Sequence, residues 1–325
     1  MVAMSFSFRC LIFAIVFLCR DFAFAQQIWP SKPVRVVVSN SPGGAPDLAA
    51  RIFNESLSRA TGRPVILENR PGADSYLGAE AVARSEPDGH TLFLATQSVF
   101  AIHPHIKKKM PLDPERDFTP LAVIWDDTGA SGVFTSPASP HRTWQELVAF
   151  GKANPGKLDY ATSVPLFRML GIWISKRAGF EWQEIPYKIG TQAQQDAATG
   201  RVAAIITAFG PLEPLVRADK LRVLALTNRV QGWPQLPQIA DFYPGFTQPS
   251  FVVLAGPAAL PGALAQRINR AAAAVVEDPK FNKDMSNIRW FNWEGARSVD
   301  GTAQYIRVQR AAWGRFVREA GIEPE

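Results

Sequence analysis

"VRVVVSNSPGGAPDLAARIF" (34–53) runs from an apolar stretch through a glycine pair into an amphipathic one. Four valines around Arg35 predict a strand buried on both faces. Leu48, Ile52, Phe53 and Leu57 then recur at helical spacing, and "TGRP" (61–64) stops that helix: Gly62 can take a left-handed cap and Pro64 forbids continuation. The glycines between strand and helix fit three roles: a phosphate cradle, a carboxylate site or a plain tight turn.

The same alternation continues. "VIL" (65–67) reads as a second strand, a helical stretch with Leu77, Ala81 and Val82 follows, and "TLFLA" (91–95) is a third strand. Strand, helix, strand, helix, strand implies right-handed parallel crossovers in a doubly wound sheet. A second α/β unit starts at "TWQELVAFGKANPGK" (143–157), which opens with a capping box, Thr143 to Glu146. "LDYATS" (158–163), a helix over about 167–178, "EIPYK" (184–188), the helical "QAQQDAATG" (192–200), "VAAIITAF" (202–209) and "LRVLALT" (221–227) repeat the order. Pro-rich 232–249 leads to two C-terminal helices, the last with Tyr305, Ile306, Trp313, Phe316 and Val317 along one stripe. Two β-rich segments, "SGVFTSP" (131–137) and "FVVLAGP" (251–257), bracket the middle unit and suggest two lobes joined by two crossing strands. The expected division is 26–134 for the first part of lobe 1, 135–250 for lobe 2 and 251–325 for the return to lobe 1. A cleft between lobes is a favoured ligand site.

Residues 1–25 stand apart. Arg9 precedes the apolar "CLIFAIVFLC" (10–19), and "AFA" (23–25) puts small residues at −3 and −1 of a cleavage point. This is the layout of a secretory signal peptide, cleaved after Ala25, and implies a periplasmic mature chain. Both cysteines, Cys10 and Cys19, fall in that segment, so the mature chain has no disulfide and no thiolate-bound metal. The formal net charge of +6 is spread along the chain, with Lys107 to Lys109 its densest run. That excess suits anionic small molecules, and no basic stripe with aromatic platforms points to nucleic acid.

Catalytic and metal readings find little support. The chain has four histidines. His90 reads as a surface residue, and His103 and His105 flank Pro104 in a weak metal signal without nearby carboxylates. No G-x-S-x-G, H-E-x-x-H or S-x-x-K is present, and Asp126-Asp127 reads as a solvated turn. Among nine tryptophans, Trp125 and Trp173 are candidates for stacking on a ligand, while Trp144 and Trp313 fall on helices and Trp290 and Trp293 near the C-terminal lobe junction. The glycine turn matches neither G-x-G-x-x-G nor a P-loop, which removes the nucleotide reading. A helix start approached closely by glycine backbone still suits an anion, with Asp47 in the first helical turn. No cofactor and no catalytic residue are expected.

"WPSKPVRVVVSNSPGGAPDLAARIF", "ENRPGADSYLGAEAVARSEPDGHTLFLATQS", "NPGKLDYATS", "IPYKIGTQAQQDAATGRV", "KLRVLALTNR", "LPQIADFYPGF" and "VREAGIEPE" fall, in order and spacing, as in the periplasmic receptors of tripartite tricarboxylate transporters, the Bug receptors, which the chain resembles over nearly its whole mature length. The resemblance implies an α/β, two-lobed type II periplasmic-binding-protein fold, with two doubly wound lobes, that closes as a monomer on a small carboxylate and delivers it to membrane permease subunits. A receptor feeding a signalling protein and an exported enzyme are the alternatives. It also implies a ligand clamp from two loops. The first, 40–47, supplies Asn40, Ser41, Gly43, Gly44, Ala45 and Asp47; the second, 162–168, supplies Thr162, Ser163 and Arg168. Gln97, Ser98, Gly190, Thr191 and Thr207 fall where that family lines its cleft. Three departures stand out: Pro46 replaces a Thr or Ser, "ATSVPLFRML" (161–170) is shorter and more apolar than the usual second loop, and Thr207 replaces an Asp. With Leu166, Phe167 and Phe209 nearby, they favour a less polar ligand than a small amino acid, an aromatic or longer-chain carboxylate.

Overall fold

The computed structural model describes residues 29–324, apart from 41, 44, 127–129, 188, 231, 247 and 289–294. The expected signal peptide, both cysteines, Ser41, Gly44, Asp127, Trp290 and Trp293 therefore lie outside the described residues. The strands are β1 (Val34–Val38), β2 (Val65–Asn69), β3 (Thr91–Thr96), β4 (Phe118–Trp125), β5 (Ser131–Thr135), β6 (Leu158–Thr162), β7 (Trp182–Pro186), β8 (Ala204–Ala208), β9 (Arg222–Leu226) and β10 (Val252–Pro257). The helices are α1 (Ala45–Thr61), α2 (Tyr76–Ala83), α3 (His103–Ile106), α4 (Trp144–Ala153), α5 (Pro165–Ala178), α6 (Gly190–Ala198), α7 (Phe209–Arg217), α8 (Ile239–Phe242), α9 (Gly262–Val276), α10 (Pro279–Ser286) and α11 (Val299–Ala320).

They build two five-stranded sheets, ordered β2-β1-β3-β10-β4 and β7-β6-β8-β5-β9. Strands β1, β2 and β3 run parallel, as do β6, β7 and β8, each set wound through its intervening helices. Each sheet then takes in one antiparallel strand: β10 lies between β3 and β4, and β5 between β8 and β9. The two segments read as crossing strands are thus the antiparallel members of mixed sheets. β5 pairs along its length in the second sheet, so the expected division at 134/135 cuts through a strand; the chain changes sheet between Trp125 and Ser131.

Burial follows the pattern that orders the strands. Val34, Val36 and Val38 face one core with Phe53, Leu57, Trp125 and Phe281, while Val37 faces another. Fully burying such a side chain contributes roughly 2 kcal/mol. Leu48 is an exception to the expected helical stripe: it is 45% exposed, and Ala49 and Ala50 take the inner positions beside Phe53. Leu77 is likewise exposed, and Tyr76, Ala79 and Val82 carry the inner face of α2. The helix ends behave as their residues dictate. Thr143 Oγ1 accepts from the Glu146 N–H at 3.2 Å while Glu146 accepts from the Thr143 N–H at 3.1 Å, and Gly62 sits at φ +67°.

Helix α11 does more than return to the first lobe. It packs against β4 and also against α5 of the second sheet, where the Trp173 and Phe316 rings stack at 6.0 Å and Trp173 Nε1 donates to Glu319 at 3.2 Å. One apolar core therefore runs continuously from Phe93 and Trp313 to Tyr160 and Trp173. Both stacking candidates are core residues instead: Trp125 packs edge-on to Phe53, and Trp173 fills the junction. No described helix is long and apolar enough to cross a membrane.

Candidate functional site

The carboxyl ends of β1–β3 and of β6–β8 are where a wound sheet exposes loops and helix N-termini to a ligand. A cavity of about 280 Å³ lies there, between the two sheets. The first lobe contributes Asp74, His103, Ile106 and Lys107. The second contributes Thr162, Ser163, Val164 and Arg168 from the β6–α5 connection, with Glu184, Pro186 and Tyr187 from the end of β7.

The second-lobe wall is built on Glu184. Its carboxylate accepts from the Thr162 hydroxyl at 2.7 Å and pairs with Arg168 Nε at 3.1 Å. Arg168 borders the cavity, but its charge is shared with this carboxylate and its side chain is 58% exposed. Behind the pair, burial first and Glu184 second push the Tyr160 phenol up to about 12, against the pull of Arg168. Helix α5 begins here with Val164 at its N-cap, no side chain capping it and Pro165 in its first turn. An uncapped helix start carries partial positive charge from free backbone N–H groups, which suits an anion.

The first-lobe wall comes from segments the sequence reading passed over. Residues 72–75 all hold positive φ, Gly72 at 116°, Ala73 at 47°, Asp74 at 50° and Ser75 at 76°. Three successive non-glycine residues in that region are strained, a feature that collects at ligand sites. Asp74 pairs with Lys107, Nζ to Oδ2 3.0 Å. His103 is buried, and its own burial lowers its pKa to about 4, with Lys107 lowering it further and Asp74 opposing. It is therefore a neutral ring at pH 7, lying 5.0 Å from the Tyr76 ring.

Of the expected site residues, Thr162, Ser163 and Arg168 border this cavity. Gly190 abuts it from α6, since a Cβ there would lie 3.4 Å from Ser163 Oγ, and Thr191 is exposed on the next position. The first loop behaves differently. Asp47 is 1% exposed and accepts from the Gly43 N–H at 3.0 Å, from Arg51 Nε at 2.9 Å and Nη2 at 3.3 Å, and from Asn69 Nδ2 at 2.8 Å. Burial alone would raise its pKa, but Gly43, Arg51 and Asn69 together hold it below the ordinary carboxylate value. The Gly43 amide, expected to face the ligand, is thus taken by Asp47, and the carbonyl of Asn40 accepts from Asn69 Nδ2 at 3.0 Å. Ala45 opens α1, and Pro46 follows it in the first turn. Gln97 is buried with its N–H on the Phe251 carbonyl at 3.1 Å, and Ser98 Oγ lies 3.4 Å from the Thr96 hydroxyl. Thr207 is buried within β8 opposite Gly132, and Phe209 is core, stacked near Phe134 and edge-on to Trp233. Phe167 is buried in the continuous core with Leu166 packed against it.

Three further residues take structural roles. His90 is buried, its Nε2 accepting from the Ser31 N–H at 3.2 Å, so it ties down the segment before β1. His105 packs onto α11, Nε2 2.8 Å from the Arg310 carbonyl, leaving no paired-histidine metal site with His103. Asp126 is a buried ion-pair member with Arg297 at 3.1 Å rather than a solvated turn residue. Among the described residues no group of three or more His, Cys, Asp or Glu side chains could hold a metal ion. Asp74, His103, Lys107, Glu184 and Tyr187 were missed. The signals available for them were "RPGADSY" (70–76), read only as part of a family pattern, and H-P-H followed by lysines, read as a metal or charge run.

Two mixed α/β sheets with a polar cavity between their strand ends define a two-lobed solute-binding receptor. The chain belongs to the tripartite tricarboxylate transporter family of receptors, whose family model matches residues 49–322. That is a family of binding receptors and not of enzymes. A UPF0065 protein of Bordetella bronchiseptica is 32% identical over 319 residues, covering 97% of this chain and 94% of the relative. The solved R. palustris protein Rpa4515 with adipate superposes with a TM-score of 0.81 at 26% identity, covering 91% of this chain and 100% of that one. The periplasmic binding protein BugD shares the fold, with a TM-score of 0.78 at 24% identity over 91% of this chain and all of BugD.

Proposed function

We propose that this chain loses residues 1–25 on export, binds a small carboxylate between its lobes in the periplasm, and presents it to a permease of the tripartite tricarboxylate type. The observation that carries the reading is the inter-lobe cavity, where Thr162, Ser163, Arg168 and the uncapped start of α5 gather on one wall. The Ser163 hydroxyl, the remaining guanidinium N–H groups of Arg168 and the positive end of α5 are donors suited to a carboxylate, while the Thr162 hydroxyl is held by Glu184. Closure follows from a ligand that touches both walls, because such contacts exist only in the closed state.

The ligand on this reading is a longer-chain or aromatic carboxylate. Lys107 and Arg168 are each matched by an acid, Asp74 and Glu184, so the cavity has no surplus of cations for a compact polyanion. Ile106, Val164 and Pro186 supply apolar wall for a carbon chain. The relative solved with adipate fits the same class. Calorimetry of ligand-free protein against aspartate, citrate, adipate and benzoate tests this: binding of adipate or benzoate is expected, and aspartate or citrate as sole binder would overturn the ligand class. Arg168→Ala should weaken that binding by about tenfold, the worth of one charge-assisted hydrogen bond.

A further inference from the structure

The second lobe carries another cavity, of about 620 Å³, that shares no lining residue with the inter-lobe site. It lies along β9, the edge strand of the second sheet, which β8 and β5 separate from β6, and its lining runs from Arg222 at the start of that strand to Arg229 beyond its end. β9 runs in the same direction as β6, both being related to β5 and β8 by the observed pairings, so Arg222 at the start of β9 is remote from Thr162 at the end of β6. Three arginines border it: Arg142 before α4, Arg222 on β9 and Arg229 after it. Asp241 is the one acid on its lining, and that carboxylate accepts from the Gln238 N–H at 2.8 Å in the cap of α8. Among the described residues no acidic side chain pairs with any of the three arginines. Arg222 is half-buried: its Nη2 donates to the Pro137 carbonyl at 3.2 Å, and its Nη1 is buried with no partner. An anion in the cavity beside a half-buried guanidinium that no acid pairs would offset part of its desolvation cost. Leu236, Pro237 and Phe242 give the cavity an apolar floor beneath these charges.

We infer that this cavity is a second ligand site, for a small oxyanion bearing two or more negative charges, held by Arg142, Arg222 and Arg229. Polycarboxylates and phosphates share that chemistry, since the planar fork of arginine matches either group bidentately. A volume of this size lies within the range of small-molecule sites, roughly 300–1,000 Å³. The site differs from the inter-lobe one in kind: there each cation is in an ion pair, whereas here the two acids nearby, Asp241 and Glu146, are turned to backbone N–H groups, those of Gln238 and of Arg142.

The test is a calorimetric titration of the exported chain with inorganic phosphate and, separately, with citrate, on the wild type and on Arg222→Gln, Arg229→Gln and Arg168→Ala. At least one probe should bind, and Arg222→Gln and Arg229→Gln should each weaken it by about tenfold. Arg168→Ala should leave it unchanged, because that residue belongs to the other cavity. Arg229 is exposed, so its variant reports on the site even if Arg222→Gln unfolds. Binding of neither probe, or affinity untouched by Arg229→Gln, overturns the inference. Loss of binding in Arg168→Ala also overturns it, by placing the anion between the lobes. Failure here leaves the carboxylate reading of the inter-lobe cavity standing, since that is judged on adipate and benzoate binding that Arg168→Ala weakens and Arg229→Gln does not.

Discussion

In the first sheet the chain leaves β1 into a loop whose carboxylate, Asp47, gathers Gly43, Arg51 and Asn69 from its own lobe. At the matching position of the second sheet it leaves β6 into α5, whose start no side chain caps and which borders the inter-lobe cavity. The windings are the same, with strand orders 2-1-3 and 7-6-8. The difference lies in where the polar groups are spent. One lobe uses its leading loop to hold itself together; the other leaves the start of its helix uncapped beside the cavity. The first lobe reaches the cavity instead from its next two connections, through Asp74, His103 and Lys107.

That contrast can be broken by substitution. Asp47→Ala should have the largest effect, removing about 3 kcal/mol of stability in urea denaturation, because it deletes a buried carboxylate that accepts charge-assisted hydrogen bonds from Gly43, Arg51 and Asn69. A loss under 1 kcal/mol would mean that the leading loop of the first lobe is not self-supporting. The pH dependence comes next. His103 protonates near pH 4 in the fold and near 6.5 in the unfolded chain, so between those values the unfolded chain binds more protons. Its contribution is complete above about pH 6.5, falls by roughly 2 kcal/mol by pH 5, and changes no further below about 4. His103→Gln should flatten the denaturation midpoint over that window; a midpoint equally steep in both proteins would count against a buried neutral ring. Gly171→Ala should cost about 1–2 kcal/mol, read as a lowered Tm, since its Cβ would stand 2.5 Å from the Tyr160 ring and push the wall that holds Glu184. Thr162→Val is the mildest. It removes one hydrogen bond to Glu184, about 1 kcal/mol by denaturation. Because Thr162 holds Glu184 against the cavity, this change should affect carboxylate affinity more than Asp47→Asn does.

Much of the architecture was legible because period and punctuation agree. The valines of 34–38, the capping box at Thr143 and the glycine stop at Gly62 each fix a local choice that the fold then uses. The division between lobes was misplaced because β5 is apolar enough to sit in either sheet, and only pairing with β8 and β9 decides. On one side the family resemblance named residues that border the cavity: Thr162 at the end of β6, and Ser163 and Arg168 just after it. Glu184 sits inside a strand pattern, and nothing local announces that it will meet Arg168. Asp74 depends on three successive left-handed residues that no propensity predicts. Asp47 was seen as a first-turn acid, but its capture of the Gly43 amide required Asn69, which comes from the next strand.

The most direct test of the central claim is a calorimetric titration of the adipate and benzoate panel against wild type and Ser163→Trp, with melting followed in parallel. Ser163 borders the inter-lobe cavity, and an indole there would fill much of its roughly 280 Å³. The account predicts that binding is lost while the protein still melts cooperatively. Undiminished binding in a folded Ser163→Trp would contradict it and place the ligand elsewhere.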